Sequence, residues 1–96
     1  NVPELGGRRI AGAIDRMIFQ GGRILIVDFK SNRIAPSDAA DTPEGILRQM
    51  GAYLSAVEQI YPGRNVDVAI LWTRTASLMV LRHDIVRRAL LRTATS

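Results

Sequence analysis

An α/β sandwich in the order ββαββα is the fold that this sequence predicts, and three observations predict it. Residues 24–30, Ile-Leu-Ile-Val-Asp-Phe-Lys, would place apolar side chains on both faces of a strand, as a sheet covered by other layers requires. Gln20-Gly21-Gly22-Arg23 just before them suits a tight hairpin, because glycine accepts the positive φ that such turns demand. Farther on, Ile46, Leu47, Met50, Tyr53, Leu54, Val57, Ile60 and Tyr61 recur at helical spacing until Pro62-Gly63 stops them.

Each element has its own signal. Arg9 to Phe19 reads as the first strand, with Ile10, Gly12, Ile14, Arg16 and Ile18 on one face and Ala11, Ala13, Asp15, Met17 and Phe19 on the other. Ile24 to Lys30 is the second strand. Ser31 to Asp41 is polar, contains Pro36, and is expected to be a loop. Thr42-Pro43-Glu44 predicts a helix start, with Thr as N-cap, Pro in the first helical position and an acid in the first turn. Val66 to Thr73 and Ser77 to Leu81 are the third and fourth strands. Asp84 is placed to cap a last helix, Ile85 to Leu91, and Thr93 to Ser96 reads as a frayed tail.

Composition narrows the chemistry. The chain has 96 residues, 47% of them apolar, which predicts one globular domain and not a disordered segment. It has no Cys, so disulfides, thiolate zinc sites, iron–sulfur clusters and cysteine nucleophiles are excluded for these residues. Its longest apolar run, Val68 to Trp72, is far short of the roughly 18 residues of a membrane span. No signal peptide opens it, and the first residue is Asn. The expectation is a soluble, cytoplasmic piece of a longer polypeptide. A net charge of +4 and a pI near 10.7 permit an anionic partner such as nucleic acid, although the arginines are scattered from Arg8 to Arg92. Of 13 basic residues 12 are Arg, so Lys30 is the sole lysine. Either chance put it there or the position needs a compact ammonium in place of a planar fork.

Register sharpens the reading. If Gly21-Gly22 is a two-residue turn, Gln20 pairs with Arg23, and the same register sets Asp15 directly opposite Asp28. Lys30 falls on that face two residues beyond Asp28, with the small Ala13 opposite it. Two like charges facing each other beside Met17, Phe19, Ile24 and Ile26 are destabilising unless something neutralises them. A divalent cation does this, since Mg²⁺ takes one or two carboxylates together with waters and a substrate phosphate. Asp15, Asp28 and Lys30 therefore read as a candidate phosphodiester hydrolase site. The competing reading makes Asp15-Arg16 an ordinary exposed pair at a sheet edge, and a slip of one residue would put the acids on opposite faces.

Three motifs, in order, carry a resemblance. Gly12-Ala13-Ile14-Asp15-Arg16, then Ile26-Val27-Asp28-Phe29-Lys30-Ser31-Asn32, then Gln49-Met50-Gly51-Ala52-Tyr53 resemble the G-x-I-D, D-x-K and Q-x-x-x-Y motifs of RecB-type nucleases in the PD-(D/E)XK superfamily. Within that family the chain resembles the C-terminal nuclease domain of AddA-type helicase–nuclease subunits, and the resemblance spans roughly residues 10 to 81. It implies a restriction-endonuclease-like core, a mixed sheet flanked by helices, with the upstream helix missing from this fragment. Asp15 and Asp28 would be ligands of Mg²⁺ or Mn²⁺, with the Phe29 backbone carbonyl as a further oxygen, and Lys30 the catalytic lysine. Gln49 and Tyr53, one helical turn apart, would support the site or contact DNA, as would Asn32. From its spacing alone, Tyr53 could equally be core packing in the Leu54 and Val57 stripe.

The resemblance further implies a DNA exonuclease acting in double-strand break repair, coupled to a helicase in the same polypeptide and to a second helicase–nuclease subunit. ATP would enter through the helicase part alone, and the setting would be the bacterial cytoplasm and nucleoid. The family has one more ligand, His or Glu, on a helix before the first strand. Glu4 lies too near the expected strand to be equated with it, and His83 is expected at the surface where the last helix starts. The alternative function is a non-catalytic DNA-binding or subunit-docking module that keeps the fold. If one sheet face is left uncovered, the fragment is expected to self-associate through it.

Overall fold

The hairpin forms in the register that its turn dictates. A computed structural model describes residues 9–95, and in it β1 (Arg16–Gln20) and β2 (Arg23–Lys30) pair antiparallel, from Gln20 opposite Arg23 to Arg16 opposite Val27. Gly21 has φ +61°, the conformation for which glycine was expected there. β3 (Asn65–Trp72) lies parallel to β2, and β4 (Ser77–Leu81) lies antiparallel to β3. The result is one mixed four-stranded sheet in the order β1-β2-β3-β4. The parallel central pair is made possible by α1 (Glu44–Ile60), the crossover that returns the chain to the same end of the sheet. α2 (His83–Thr95) follows β4.

One face of the sheet holds the core. Ile24 and Ile26 of β2, Val66, Val68, Ile70 and Trp72 of β3, and Leu81 of β4 pack beneath Leu47, Met50, Leu54 and Val57 of α1, with Val86 and Ala89 of α2 in the same cluster. The helices approach closely at Gly51, where a Cβ would run into the Val86 carbonyl oxygen. Tyr53 is buried in this core, as its spacing allowed.

Several expectations are corrected. The first strand does not begin at Arg9: residues 9–11 are helical, Gly12 and Ala13 turn, and the strand starts at Arg16. Ile14 gives its N–H to Ala11 O at 3.1 Å, a local bond that takes the segment out of the ladder. Ala13 consequently does not stand opposite Lys30 in a strand. Thr42 does not cap α1. It ends a 3-10 turn, Ala39–Asp41, inside the expected loop, and its buried hydroxyl meets Met79 Sδ at 3.7 Å, so α1 begins after Pro43 without a side-chain cap. Asp84 lies in the first turn of α2, which begins at His83, and its carboxylate holds Arg82 with bonds of 3.1 and 2.9 Å. The tail is not frayed at Thr93, because the helix runs to Thr95.

The two-sided burial of β2 has a different origin from the one expected. Among the described residues both helices lie on one face. On the other face Ile18 and Phe29 are exposed, as are Leu78 (54%) and Val80 (57%). Val27 and Ala69, neighbours at the centre of that face, are buried between the surrounding strands.

Candidate active site

The site lies where the central parallel strands end. In open α/β sheets the carboxyl ends of the strands are where ligands bind, and this end of β2 carries Asp28, Phe29 and Lys30. Beyond Arg16 the hairpin ladder stops, so Asp15 does not pair with Asp28 within a strand as the register predicted, but its side chain still reaches the end of β2. Its Oδ2 accepts a hydrogen bond from the Phe29 N–H at 2.9 Å. The side chain thus does what a strand neighbour would have done. In this register the backbone groups of Phe29 point to the β1 edge, and Ile14, the residue in line to pair with it, has turned its N–H away. The Phe29 carbonyl is left beside the two acids with no ladder partner from Ile14.

The two acids differ in environment. Asp15 is exposed, contrary to the expectation that both acids would sit among apolar side chains, and Asp28 is 3% exposed. The Phe29 N–H, followed by a bond with Asp28 and the charge of Lys30, holds the Asp15 carboxyl below its ordinary 3.8. Burial pushes Asp28 above 3.8, with Asp15 adding to the rise and Lys30 opposing it.

Lys30 supplies the compensating charge. Its Nζ lies 2.8 Å from Asp28 Oδ2, as an ion pair that lacks hydrogen-bond alignment, so this buried oxygen accepts no hydrogen bond. Among the described residues the Trp72 indole N–H, on the residue paired with Lys30, is also buried without a hydrogen-bond partner. Two buried polar atoms short of hydrogen bonds at one end of a sheet call for an explanation beyond packing.

Gln49 and Tyr53 complete the arrangement. Lys30 Nζ donates to Gln49 Oε1 at 2.9 Å, Gln49 Nε2 donates to the Tyr53 oxygen at 3.0 Å, and the Tyr53 hydroxyl donates to the Ala13 carbonyl at 3.3 Å. Burial first, and then the Asp28 charge, push the Tyr53 phenol above its ordinary value, so it stays a donor. Tyr53 is therefore both core and site: its ring packs under α1 and its hydroxyl reaches the turn before Asp15.

The chain matches the family model of the PD-(D/E)XK nuclease superfamily over residues 2–92. The chain belongs to this superfamily. Asp15 and Asp28-Phe29-Lys30, which come together beside the hairpin, lie inside the matched range. Members of the superfamily are usually metal-dependent nucleases that act on DNA. No curated protein and no solved structure matches the chain.

Other sequence candidates fall outside the cluster. Asn32 is exposed in the segment after β2 and makes no hydrogen bond with Asp15, Asp28 or Lys30. His83 starts α2 as expected, with Nε2 3.2 Å from Asp67 Oδ1. Glu4 lies outside the described residues. Among the described residues no group of three or more His, Cys, Asp or Glu gathers. Two carboxylates and a carbonyl could still hold Mg²⁺ in its usual manner, with waters and substrate phosphate filling the other positions. Sequence reasoning missed the β3–β4 turn, which is sewn to the end of β2: the Thr73 N–H and hydroxyl bond the Lys30 carbonyl at 2.8 and 3.2 Å, and Arg74 Nε bonds the Ser31 carbonyl at 3.0 Å. Nothing local in the sequence signals these contacts.

Proposed function

We propose that this chain is a RecB-type, Mg²⁺- or Mn²⁺-dependent DNA nuclease domain, akin to the nuclease domain at the C-terminus of AddA-type helicase–nuclease subunits. The observation that carries the reading is the convergence of Asp15, Asp28 and Lys30 at the end of β2, with Asp28 Oδ2 buried and short of a hydrogen bond. A cation held there would give that oxygen a further partner beside the Lys30 ammonium. Asp15, Asp28 and the Phe29 carbonyl are its ligands in this reading. The bound metal supplies Lewis acidity and an acidified water.

The chain's own residues do the rest. Lys30 pairs with Asp28 and is tethered by Gln49 Oε1, on the same face as the acids; a cation held by Asp15 and Asp28 would leave the ammonium free for substrate. From there it orients the attacking water or meets charge developing on the phosphate. Tyr53 positions the system by holding the turn before Asp15. The chain is read as one nuclease-domain piece, residues 1–96, of a helicase–nuclease polypeptide that trims single strands during double-strand break repair. DNA is its substrate, ATP acts through the helicase part, and a second helicase–nuclease subunit is its partner. The setting is the bacterial cytoplasm, at the nucleoid.

A second reading, a non-catalytic DNA-binding or subunit-docking module, is favoured by the uncovered apolar sheet face around Leu78 and Val80. Calorimetric titration of Mn²⁺ and Mg²⁺ into the chain and into Asp28→Ala, with a single-strand cleavage assay on both, separates the two. Binding and cleavage lost together in the variant support the nuclease. DNA binding with no response to either metal supports the module.

A further inference from the structure

Arg74 stands apart from most of the arginines that have partners. Arg82 commits its guanidinium to Asp84, Arg87 to Glu58 and Arg92 to Glu44, each through two hydrogen bonds to a carboxylate. Arg74 instead donates through Nε to a backbone carbonyl, that of Ser31, the residue directly after Lys30. A guanidinium carries five N–H donors in a rigid fork. That bond takes one of them and fixes the plane. Those on the two terminal nitrogens have no partner among the described residues, and the side chain is exposed.

We propose that Arg74 binds a backbone phosphate of the DNA strand beside the scissile bond. The inference rests on the nuclease reading of the site and goes beyond its motifs, which end on α1. Three residues, roughly 10 Å of strand, separate Asp28 from Ser31. That separation places the guanidinium at a neighbouring phosphate and not at the one attacked. The turn is held there from both ends of the contact: Thr73 is tied to the Lys30 carbonyl by its N–H and its hydroxyl, and Arg74 to the Ser31 carbonyl. An oriented fork aimed outward suits a phosphate, which it can grip through two parallel bonds, better than a flexible ammonium would. Anchoring also lowers the entropy lost when the phosphate binds.

The test is fluorescence-anisotropy binding of a short single-stranded oligonucleotide without divalent metal, over a range of KCl concentrations, for the chain, Arg74→Ala, Arg74→Gln and Arg88→Ala. Arg88 is exposed on α2, away from the end of β2, and its removal should change nothing. Loss of one phosphate contact should weaken binding severalfold regardless of base sequence, and should lower the slope of log K against log salt by about 0.7. A merely structural staple would weaken binding without moving the slope, and that result overturns the proposal. Arg74→Gln keeps a donor-bearing side chain but loses the charge, so it carries the same test if Arg74→Ala does not fold. If the unaltered chain binds no DNA in this assay, the inference is overturned, while the nuclease reading is decided by the metal titration and cleavage assay above. If the chain binds with a salt slope that both Arg74 variants leave unchanged, the inference alone fails.

Discussion

The Tyr53 hydroxyl donates to the carbonyl of Ala13, 40 residues earlier in the chain, at 3.3 Å. Through Gln49 the same hydroxyl is linked to Lys30, so the turn that delivers Asp15 and the ammonium beside Asp28 share one hydrogen-bonded chain. Tyr53→Phe keeps the buried ring and removes this link. It should cost about 1 kcal/mol of stability and weaken Mn²⁺ binding by more than that loss of folding accounts for, since Asp15 is no longer held in place. Thermal melts alongside metal titration check both. Unchanged metal affinity would assign Tyr53 to the core alone.

Asp28 is held at some expense of stability. It is buried next to another carboxylate, and among the described residues its compensation at Oδ2 is an ion pair without hydrogen-bond alignment. Asp28→Asn should therefore leave the metal-free protein as stable at neutral pH or about 1 kcal/mol more stable, and abolish its response to Mg²⁺ and Mn²⁺. Chemical denaturation with and without metal measures this. A large loss of stability in the metal-free variant would mean that the Lys30 pair is structural.

The pH dependence follows from the directions of the shifts. Asp28 has a folded value raised above 3.8, so its contribution favours folding at low pH and is lost as pH rises through that raised value. Asp15, held below 3.8, contributes in the opposite sense: its stabilisation is present above 3.8 and lost as pH falls through the lowered value. Metal uptake requires both acids ionised, so affinity should decline on acidification at a higher pH than an ordinary carboxylate would give. Asp28→Asn should remove the Asp28 part of the stability profile, so its advantage over the unaltered chain grows from acid to neutral pH. Melts across that range without metal test the sign.

Gly51 sits where α1 and α2 touch through backbone. Gly51→Ala would press a methyl against the Val86 carbonyl and Leu90, and should destabilise by about 1–3 kcal/mol as the helices separate. Gly51 faces α2 and meets neither acid, so metal affinity measured well below the unfolding transition should be unaffected. Urea unfolding gives the first quantity and calorimetry the second.

The uncovered face of the sheet presents Ile18, Phe29, Leu78 and Val80 to solvent. The chain should self-associate through it as concentration rises, and Val80→Glu should return it to monomer. Sedimentation velocity decides the matter. A monomer at every concentration would rule the association out.

What the sequence determined by itself was whatever depended on short range. The Gly21-Gly22 turn set the hairpin register, because a two-residue loop allows one pairing; the ladder ends at Arg16, and Asp15 just before it meets β2 through its side chain at the Phe29 N–H. Helical spacing put Gln49 and Tyr53 one turn apart, and turn residues separated β3 from β4. Tertiary structure decided the rest, where distant groups compete for the same backbone. Arg9 to Ile14 alternates well enough for a strand, but its backbone bonds fold back locally, and the hydroxyl of Tyr53 takes the Ala13 carbonyl. Thr42 has the chemistry of a helix cap, yet its hydroxyl is buried against Met79 of β4. Arg74 reaches Ser31 because β3 runs parallel beside β2, a pairing that no local pattern specifies. Spacing along the chain supplied the reacting groups, and non-local packing chose which of them are buried, tethered or left facing solvent.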